Sequence, residues 1–103
     1  MSDIDNIIGD TPFIKLGEKL YAKLETYSPS GSIKDRMASY ILTKALHRGD
    51  LQGKDTIVVA SSGNTGIAFS MLSAAHRLKC IVVMPCNMSE ERKQMMRAYV
   101  IRC

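Results

Sequence analysis

A short run of β-branched residues, Thr56 to Ala60, constrains the fold of this chain more than any other feature. A turn rich in glycine and hydroxyl side chains follows it, then a helix-prone stretch from Ile67 to Leu78 and a second apolar run from Cys80 to Met84. Two short apolar runs on either side of one helix predict a β-α-β unit, whose parallel strands are buried on both faces by helices. The pattern therefore places the chain in the α/β class.

Two other segments predict strands that would complete a larger sheet. Residues Leu20 to Glu25 alternate apolar and polar side chains, which is the period of a strand, and Val100 to Cys103 suit an edge strand. We therefore expect a three-layer architecture with a parallel sheet of about four strands and crossover helices. A chain of 103 residues is long enough for one core, so residues 1–103 are expected to form a single α/β domain, with an extended N-terminal arm over about residues 1–18.

Capping residues indicate where the helices begin and end. Ser32 is placed to cap a helix that starts at Ile33 and runs to about Arg48, where Gly49 offers a stop. Ser89 caps a predicted last helix whose first turn carries two glutamates. The apolar residues that recur at helical spacing along the first of these helices are Ile33, Met37, Tyr40, Ile41 and Ala45.

Charge and cysteine content argue against several classes of function. The formal net charge is +4 and the pI is about 9.1, but the basic residues are scattered among acids, so a nucleic-acid partner is not expected. The sequence has no apolar stretch of the roughly 20 residues that a membrane span needs. Its three cysteines form no Cys-x-x-Cys pair or metal-ligand spacing, and no signal-peptide pattern is present, so we expect a cytoplasmic setting and no metal.

The loop after the first buried run, Ser61 to Gly66, is unusually polar. It places three hydroxyls, a carboxamide and two glycines where a strand turns into a helix. Glycine lets the backbone approach a ligand, and the free amides of a helix start carry partial positive charge, so a carboxylate would suit this loop. The alternative interpretation is structural, because the same residues supply turn geometry and a helix cap.

Lys34 lies in the opening turn of the predicted helix that follows the strand at Leu20 to Glu25. The helix dipole disfavours a charged ammonium there and so favours the neutral amine that imine formation requires. Lysines at helix starts are also commonly just solvated, and Asp35 and Arg36 have ordinary structural roles as a first-turn carboxylate and an ion-pair partner. From its position alone, Lys34 is only a candidate nucleophile.

Taken in order, the motifs of the two loops resemble those of the fold-type II pyridoxal phosphate enzymes. The run Ser-Gly-Ser-Ile-Lys-Asp-Arg, residues 30–36, and the run Ser-Gly-Asn-Thr-Gly, residues 62–66, are similar to loops of the cysteine synthase (O-acetylserine sulfhydrylase) and cystathionine β-synthase family. Other segments that resemble this family are residues 8–12, 21–25, 83–85 and 88–92. The resemblance covers nearly the whole chain and implies the fold of the small domain of these enzymes.

The resemblance also implies a cofactor, a reaction and a set of site residues. Lys34 would hold pyridoxal phosphate as an imine and later move protons at the substrate Cα, and Asn64 would hydrogen-bond the 3′-oxygen of the cofactor. Ser61, Ser62, Asn64 and Thr65 would bind the substrate carboxylate. The implied reaction is β-replacement on an O-acylated serine, in which the acyl group leaves and sulfide adds to give cysteine.

The sequence departs from the family pattern in several places. Ser28 and Asp10 stand where the family usually has asparagine, Ser61 stands where it has threonine, and residues 96–101 lack its usual Gly-Ala step. Family members are also much longer and bind the cofactor phosphate in a downstream glycine-rich loop, whereas all seven glycines here lie at or before Gly66. We therefore expect the N-terminal part of such an enzyme, truncated and incomplete by itself.

Two other functions fit the same motifs. One is a catalytically silent module that binds a carboxylate or the C-terminal peptide of a partner at Ser61 to Gly66, because the family accepts such tails in this cleft. The other is a cystathionine β-synthase-like or other β-eliminating lyase. For the full-length enzyme, the resemblance also implies a small amino-acid substrate and a homodimer.

Overall fold

The computed structural model describes residues 3–61, 63–87 and 89–99. Its helices and strands are, in order, α1 (Asp3–Ile7), β1 (Phe13–Gly17), β2 (Leu20–Lys23), α2 (Lys34–Arg48), β3 (Thr56–Ala60), α3 (Asn64–Ala75), β4 (Lys79–Val83) and α4 (Glu90–Arg97), with a 3-10 turn at Glu25–Tyr27. β3 and β4 pair in parallel, and α3 connects them. The predicted α/β class is therefore confirmed.

The core is built around α3. This helix packs against β3 and β4 and also contacts α2 and α4, so the eight residues 66–73 are all buried. The parallel pair runs in register from Thr56 opposite Lys79 to Ala60 opposite Val83, as expected for a β-α-β unit. The buried apolar cluster consists of Ala38, Leu42, Ile67, Ala68, Phe69, Met71, Leu72, Cys80, Val82 and Met96.

The sheet is smaller and more open than the sequence predicts. Within the described ranges the parallel sheet has two strands rather than about four, and helices cover only one of its faces. Val82 is 1% exposed on the covered face, whereas Val58, on the opposite face, is 65% exposed. An all-apolar strand predicts burial on both faces of a sheet, but no element among the described residues covers the face that carries Val58.

The predicted strand at Leu20 to Glu25 pairs in an unexpected direction. It forms β2, which pairs antiparallel with β1 in a separate two-stranded sheet. The connection between the two strands is only two residues long, and such a turn joins antiparallel strands, never parallel ones. The predicted edge strand at Val100 to Cys103 lies outside the described residues.

The N-terminal segment also holds more regular structure than an extended arm. Asp3–Ile7 is a short helix, α1, and β1 follows after a turn at Gly9 and Asp10. Nε2 of His76, at the end of α3, lies 2.8 Å from Oδ2 of the buried Asp5. This contact attaches α1 to the core helix.

The end of α2 and the start of α4 follow the predicted caps, but most of the apolar residues that recur at helical spacing near and along α2 are not buried. Gly49 ends α2 with φ of 77°, and the Ser89 hydroxyl accepts a hydrogen bond from the amide of Arg92 at the start of α4. The buried residues of α2 are Asp35, Ala38 and Leu42. Met37, Tyr40 and Ile41 are exposed, as is Ile33 just before the helix. None of the described helices has the length and apolar character needed to cross a membrane.

Candidate active site

Lys34 is the first residue of α2, and its side chain is exposed. The helix begins one residue later than predicted, and the Ser32 hydroxyl accepts a hydrogen bond of 3.2 Å from the amide of Lys34. The residue at the N-cap position is thus Ile33 rather than the predicted Ser32, although the Ser32 hydroxyl still satisfies an amide of the helix start. The backbone of Lys34 is held by this hydrogen bond, whereas its side chain is exposed to solvent.

The loop ahead of Lys34 is held by a buried carboxylate. Asp35 is fully buried and accepts hydrogen bonds from the backbone amide of Ser30, at 2.8 Å, and from the Ser30 hydroxyl. The amide of Gly31 donates to the carbonyl of Ser28 at 2.8 Å, in a turn where the φ of Gly31 is +95°. Glycine tolerates this left-handed conformation, and the result is a tightly closed loop over residues 28–31.

The loop after β3 is organised by Ser61. Its hydroxyl oxygen accepts hydrogen bonds from the amide of Gly63, at 3.2 Å, and from the amide of Gly66, at 2.9 Å. Its own amide donates to the carbonyl of Val83 at 3.1 Å and so continues the β3–β4 ladder by one residue. The Ser61 oxygen therefore shapes the turn, and α3 begins at Asn64, three residues before the predicted start.

The two loops meet at one cleft of about 530 Å³. Ser30 and Gly31, from the loop ahead of Lys34, line it together with Asn64, the first residue of α3. Of the other predicted site residues, Lys34, Ser61 and Thr65 are not among those that line the cleft, and Ser62 lies outside the described residues. The sequence places the two loops thirty residues apart, and the fold brings them to a single site.

The far wall of the cleft comes from α4 and the segment before it, to which the motifs assigned no function. Asn87, Ser89, Glu91, Arg92 and Met95 line this wall, and Ile67 of α3 contributes to the lining. A Cβ added at Gly63 would lie 3.6 Å from Nη1 of Arg92, so the guanidinium is close to the backbone of the Ser61 loop. In the sequence, the sign of this wall was the capping serine Ser89, which shows where α4 begins but not which elements α4 packs against.

A polar network connects α2 with the chain on either side of the β1–β2 hairpin. Arg36 donates from Nε to Oε2 of Glu25 at 3.0 Å and from Nη2 to the Thr11 hydroxyl at 3.2 Å, and that hydroxyl donates to Oε1 of Glu25 at 2.7 Å. The hydrogen bond from Arg36, followed by that from Thr11, lowers the pKa of Glu25, and the bond to Glu25 raises the pKa of Arg36. Each charge favours the ionised form of the other.

Sequence comparison identifies relatives of the chain. A family model described as "Pyridoxal-phosphate dependent enzyme" matches residues 4–101. Cysteine synthase B of Escherichia coli (strain K12) is 42% identical over 106 residues, which cover 96% of this chain and 35% of the relative. The chain thus spans about a third of the length of the curated relatives it matches.

Solved structures give the same result at the level of the backbone. An O-ureido-L-serine synthase superposes with a TM-score of 0.89 at 38% identity, over 96% of this chain and 33% of that one. An O-acetylserine-dependent cystathionine β-synthase from Helicobacter pylori superposes with a TM-score of 0.84 at 37% identity, over 95% of this chain and 35% of that one. With the family model matching almost from end to end, this chain belongs to the family of pyridoxal-phosphate-dependent enzymes.

Proposed function

We propose that this chain carries the lysine and the substrate-carboxylate site of an enzyme that replaces the β-substituent of an O-acylated serine with sulfur to make cysteine. The observation that supports it most directly is the shared cleft, which Asn64 lines together with the loop that precedes Lys34. A reaction at the Cα and Cβ of an amino acid needs an amine beside a carboxylate site, and these two loops supply both.

The groups around the cleft fit pyridoxal phosphate at its reactive end. A primary amine on an exposed side chain can capture an aldehyde, and the carboxamide of Asn64, which lines the cleft, can hydrogen-bond a ring oxygen. Pyridoxal phosphate, when bound, supplies an electron sink for charge that develops at the substrate Cα.

We assign the substrate carboxylate to the Ser61 loop. Since Ser61 already accepts from the amides of Gly63 and Gly66, the amides of Asn64 and Thr65 at the start of α3 are the ones left for an anion among the described residues of this loop. The hydroxyls of Ser61, Ser62 and Thr65 can donate to the same carboxylate. A carboxylate held here fixes the amino acid by one end.

Lys34 then has two tasks. Its amine would hold pyridoxal phosphate, and as a free amine it would take the proton from the substrate Cα. As that proton leaves, the Cβ–O bond breaks and the acyl group departs with the electron pair as a carboxylate. The sulfur nucleophile then forms the new C–S bond at Cβ, and Lys34 returns the proton to Cα.

The names of the similar structures support an O-substituted serine as the first substrate. One is an O-ureido-L-serine synthase and another an O-acetylserine-dependent cystathionine β-synthase, so both names contain a serine with an oxygen-linked substituent at Cβ. Two more are hydrogen sulfide-producing enzymes. The curated relatives are cysteine synthases, which favours sulfide as the second substrate over the cystathionine β-synthase-like alternative.

The spectroscopic test uses two lysines of the same helix. We expect pyridoxal phosphate to give the yellow absorbance band of a lysine-bound cofactor with the wild type and with Lys44→Ala, and no such band with Lys34→Ala. Lys44 is the matched control because it is also exposed on α2, where its ammonium lies over the Tyr40 ring. A band that persists in Lys34→Ala, or is absent from the wild type, would contradict the proposal for this chain.

The carboxylate loop on its own supports a second candidate, a module that binds a carboxylate-terminated peptide without chemistry. This candidate needs Asn64 and Thr65 but not Lys34. Calorimetry with a short acidic C-terminal peptide separates the two. Binding that disappears in an Asn64→Ala, Thr65→Ala double variant, together with no cofactor band in the wild type, favours the silent module.

A further inference from the structure

We infer that Asp35 and Arg36 are positioning residues that set the direction of Lys34, an inference that rests on the role of Lys34 in the proposed function. The three residues are consecutive in the first turn of α2. Successive side chains of an α-helix point about 100° apart around its axis. If two of the three are held by contacts, the direction of the third is determined by the helix.

Asp35 is the inward anchor. A carboxylate with no exposed surface is costly unless it is hydrogen-bonded, and Asp35 accepts from both the amide and the hydroxyl of Ser30. Ser30 lines the cleft beside Asn64. One side chain therefore fixes the rotation of the first helical turn and, in the same contact, the position of a cleft wall.

Arg36 is the second anchor, on a different side of the helix. Its guanidinium contacts Glu25 through Nε, at 3.0 Å, and through Nη2, at 3.3 Å, and this two-point geometry restricts the orientation of the planar group. Thr11 adds a third contact, at 3.2 Å from Nη2. Glu25 and Thr11 flank the β1–β2 hairpin, so the helix turn is fixed against two segments.

The two anchors explain how an exposed lysine can be placed accurately. The first turn of a helix frays easily because its amides have no intrahelical partner, and a lysine side chain has several rotatable bonds. With Asp35 held from inside and Arg36 held from the hairpin side, the backbone of Lys34 cannot rotate without breaking one of these contacts. Only the side chain of Lys34 remains to be ordered when the cofactor binds.

Site-selective labelling tests the inference on the chain as it is. Each protein is incubated with pyridoxal phosphate, reduced with borohydride and digested, and mass spectrometry gives the ratio of labelling at Lys34 to labelling at Lys44. Asp35→Asn keeps the size of the side chain but replaces one acceptor of the Ser30 donors, so we expect the ratio to fall about tenfold. Ser30→Ala removes only the hydroxyl and lowers the ratio less. Asp50→Asn, an exposed carboxylate near the other end of α2, leaves it unchanged.

Different results overturn different claims. All ratios are measured well below the urea midpoint of each variant, so that only folded protein is compared. A lower midpoint for Asp35→Asn with an unchanged labelling ratio means a purely structural role, which overturns the inference and leaves the proposed function standing. A wild type that labels Lys34 no more than Lys44 overturns the proposed function for this chain, and the inference with it.

Discussion

The β1–β2 hairpin and the α/β unit formed by α2, β3, α3, β4 and α4 are stabilised in opposite ways. Every residue of β1 is exposed, and Leu20 at the start of β2 is 60% exposed. In α3, by contrast, residues 66–73 are all buried, with Leu72 at 0% exposure. Burial of apolar surface therefore stabilises the α/β unit, while the hairpin adds little to the core.

The hairpin is held to the rest of the chain mainly by polar contacts. Arg36 of α2 bonds Glu25 and Thr11 at its base. The bond of 2.9 Å from the amide of Leu24 to the carbonyl of Pro12 instead extends the ladder between the two strands. Phe13 and Tyr21 stack across the strands with ring centroids 5.2 Å apart, which supports the hairpin itself rather than its attachment. Mutations in the two regions should therefore differ in how much they change the free energy of unfolding and in how that change depends on pH.

The largest difference is expected between two leucine-to-alanine substitutions. Leu72→Ala removes a fully buried side chain from the centre of α3 and should lower the free energy of unfolding by about 2–5 kcal/mol. Leu20→Ala, at an exposed position of the hairpin, should change it by less than about 0.5 kcal/mol. Urea unfolding followed by circular dichroism measures both. Equal losses in the two variants would show that the hairpin is part of the core after all.

A smaller difference is expected between two glycine-to-alanine substitutions. A Cβ at Gly66 would lie 3.0 Å from Cε of Met96 and 3.1 Å from Cγ1 of Val82, both of which are buried. This crowding should outweigh the better helix propensity of alanine and cost about 1–3 kcal/mol. At Gly17, in the hairpin, the nearest atom would be Cβ of Leu20 at 3.9 Å, an ordinary contact.

The same urea experiment compares Gly66→Ala with Gly17→Ala. We expect a clear fall in the midpoint for the first and almost none for the second. A Gly66→Ala variant as stable as the wild type would show that the side chains of Met96 and Val82 shift aside at little cost, and would contradict the expected crowding.

The parts of the fold that sequence predicts are those set by local patterns. The run at Thr56 to Ala60 forms a strand with these limits, Ser89 caps α4, and Gly49 ends α2. The buried face of α2 was not predictable in this way. Most of the apolar residues predicted for its core-facing side are exposed, and the buried residues are Ala38, Leu42 and the charged Asp35. Asp35 lies inside because its partner Ser30 is supplied by the preceding loop.

In the candidate site, too, local motifs identify residues but not how distant segments pack. Asn64 was identified from its motif and does line a cleft with the loop before Lys34. The roles assigned to Lys34, Ser61, Ser62, Asn64 and Thr65 stay predictions, as does the single-domain assignment of residues 1–103. No local pattern could show that the Ser61 hydroxyl accepts from two loop amides, or that α4 closes the cleft, because both depend on packing between segments distant in sequence.

The smallest expected effect is a pH dependence confined to the base of the hairpin. The pKa of Glu25 is lowered in the folded chain, first by the hydrogen bond from Arg36. The ionised form of Glu25 therefore stabilises the folded chain more than the protonated form does. Stability from this contact is fully present above the ordinary glutamate pKa of about 4.3 and is lost as the pH falls through the lower folded pKa. Wild type should therefore exceed Glu25→Gln in urea midpoint at neutral pH, and the gap should close on acidification.

Glu18→Gln, in the exposed hairpin turn, is the charge-matched control and should follow the wild type. A gap between wild type and Glu25→Gln that is constant with pH would show that Glu25 acts through packing, not charge.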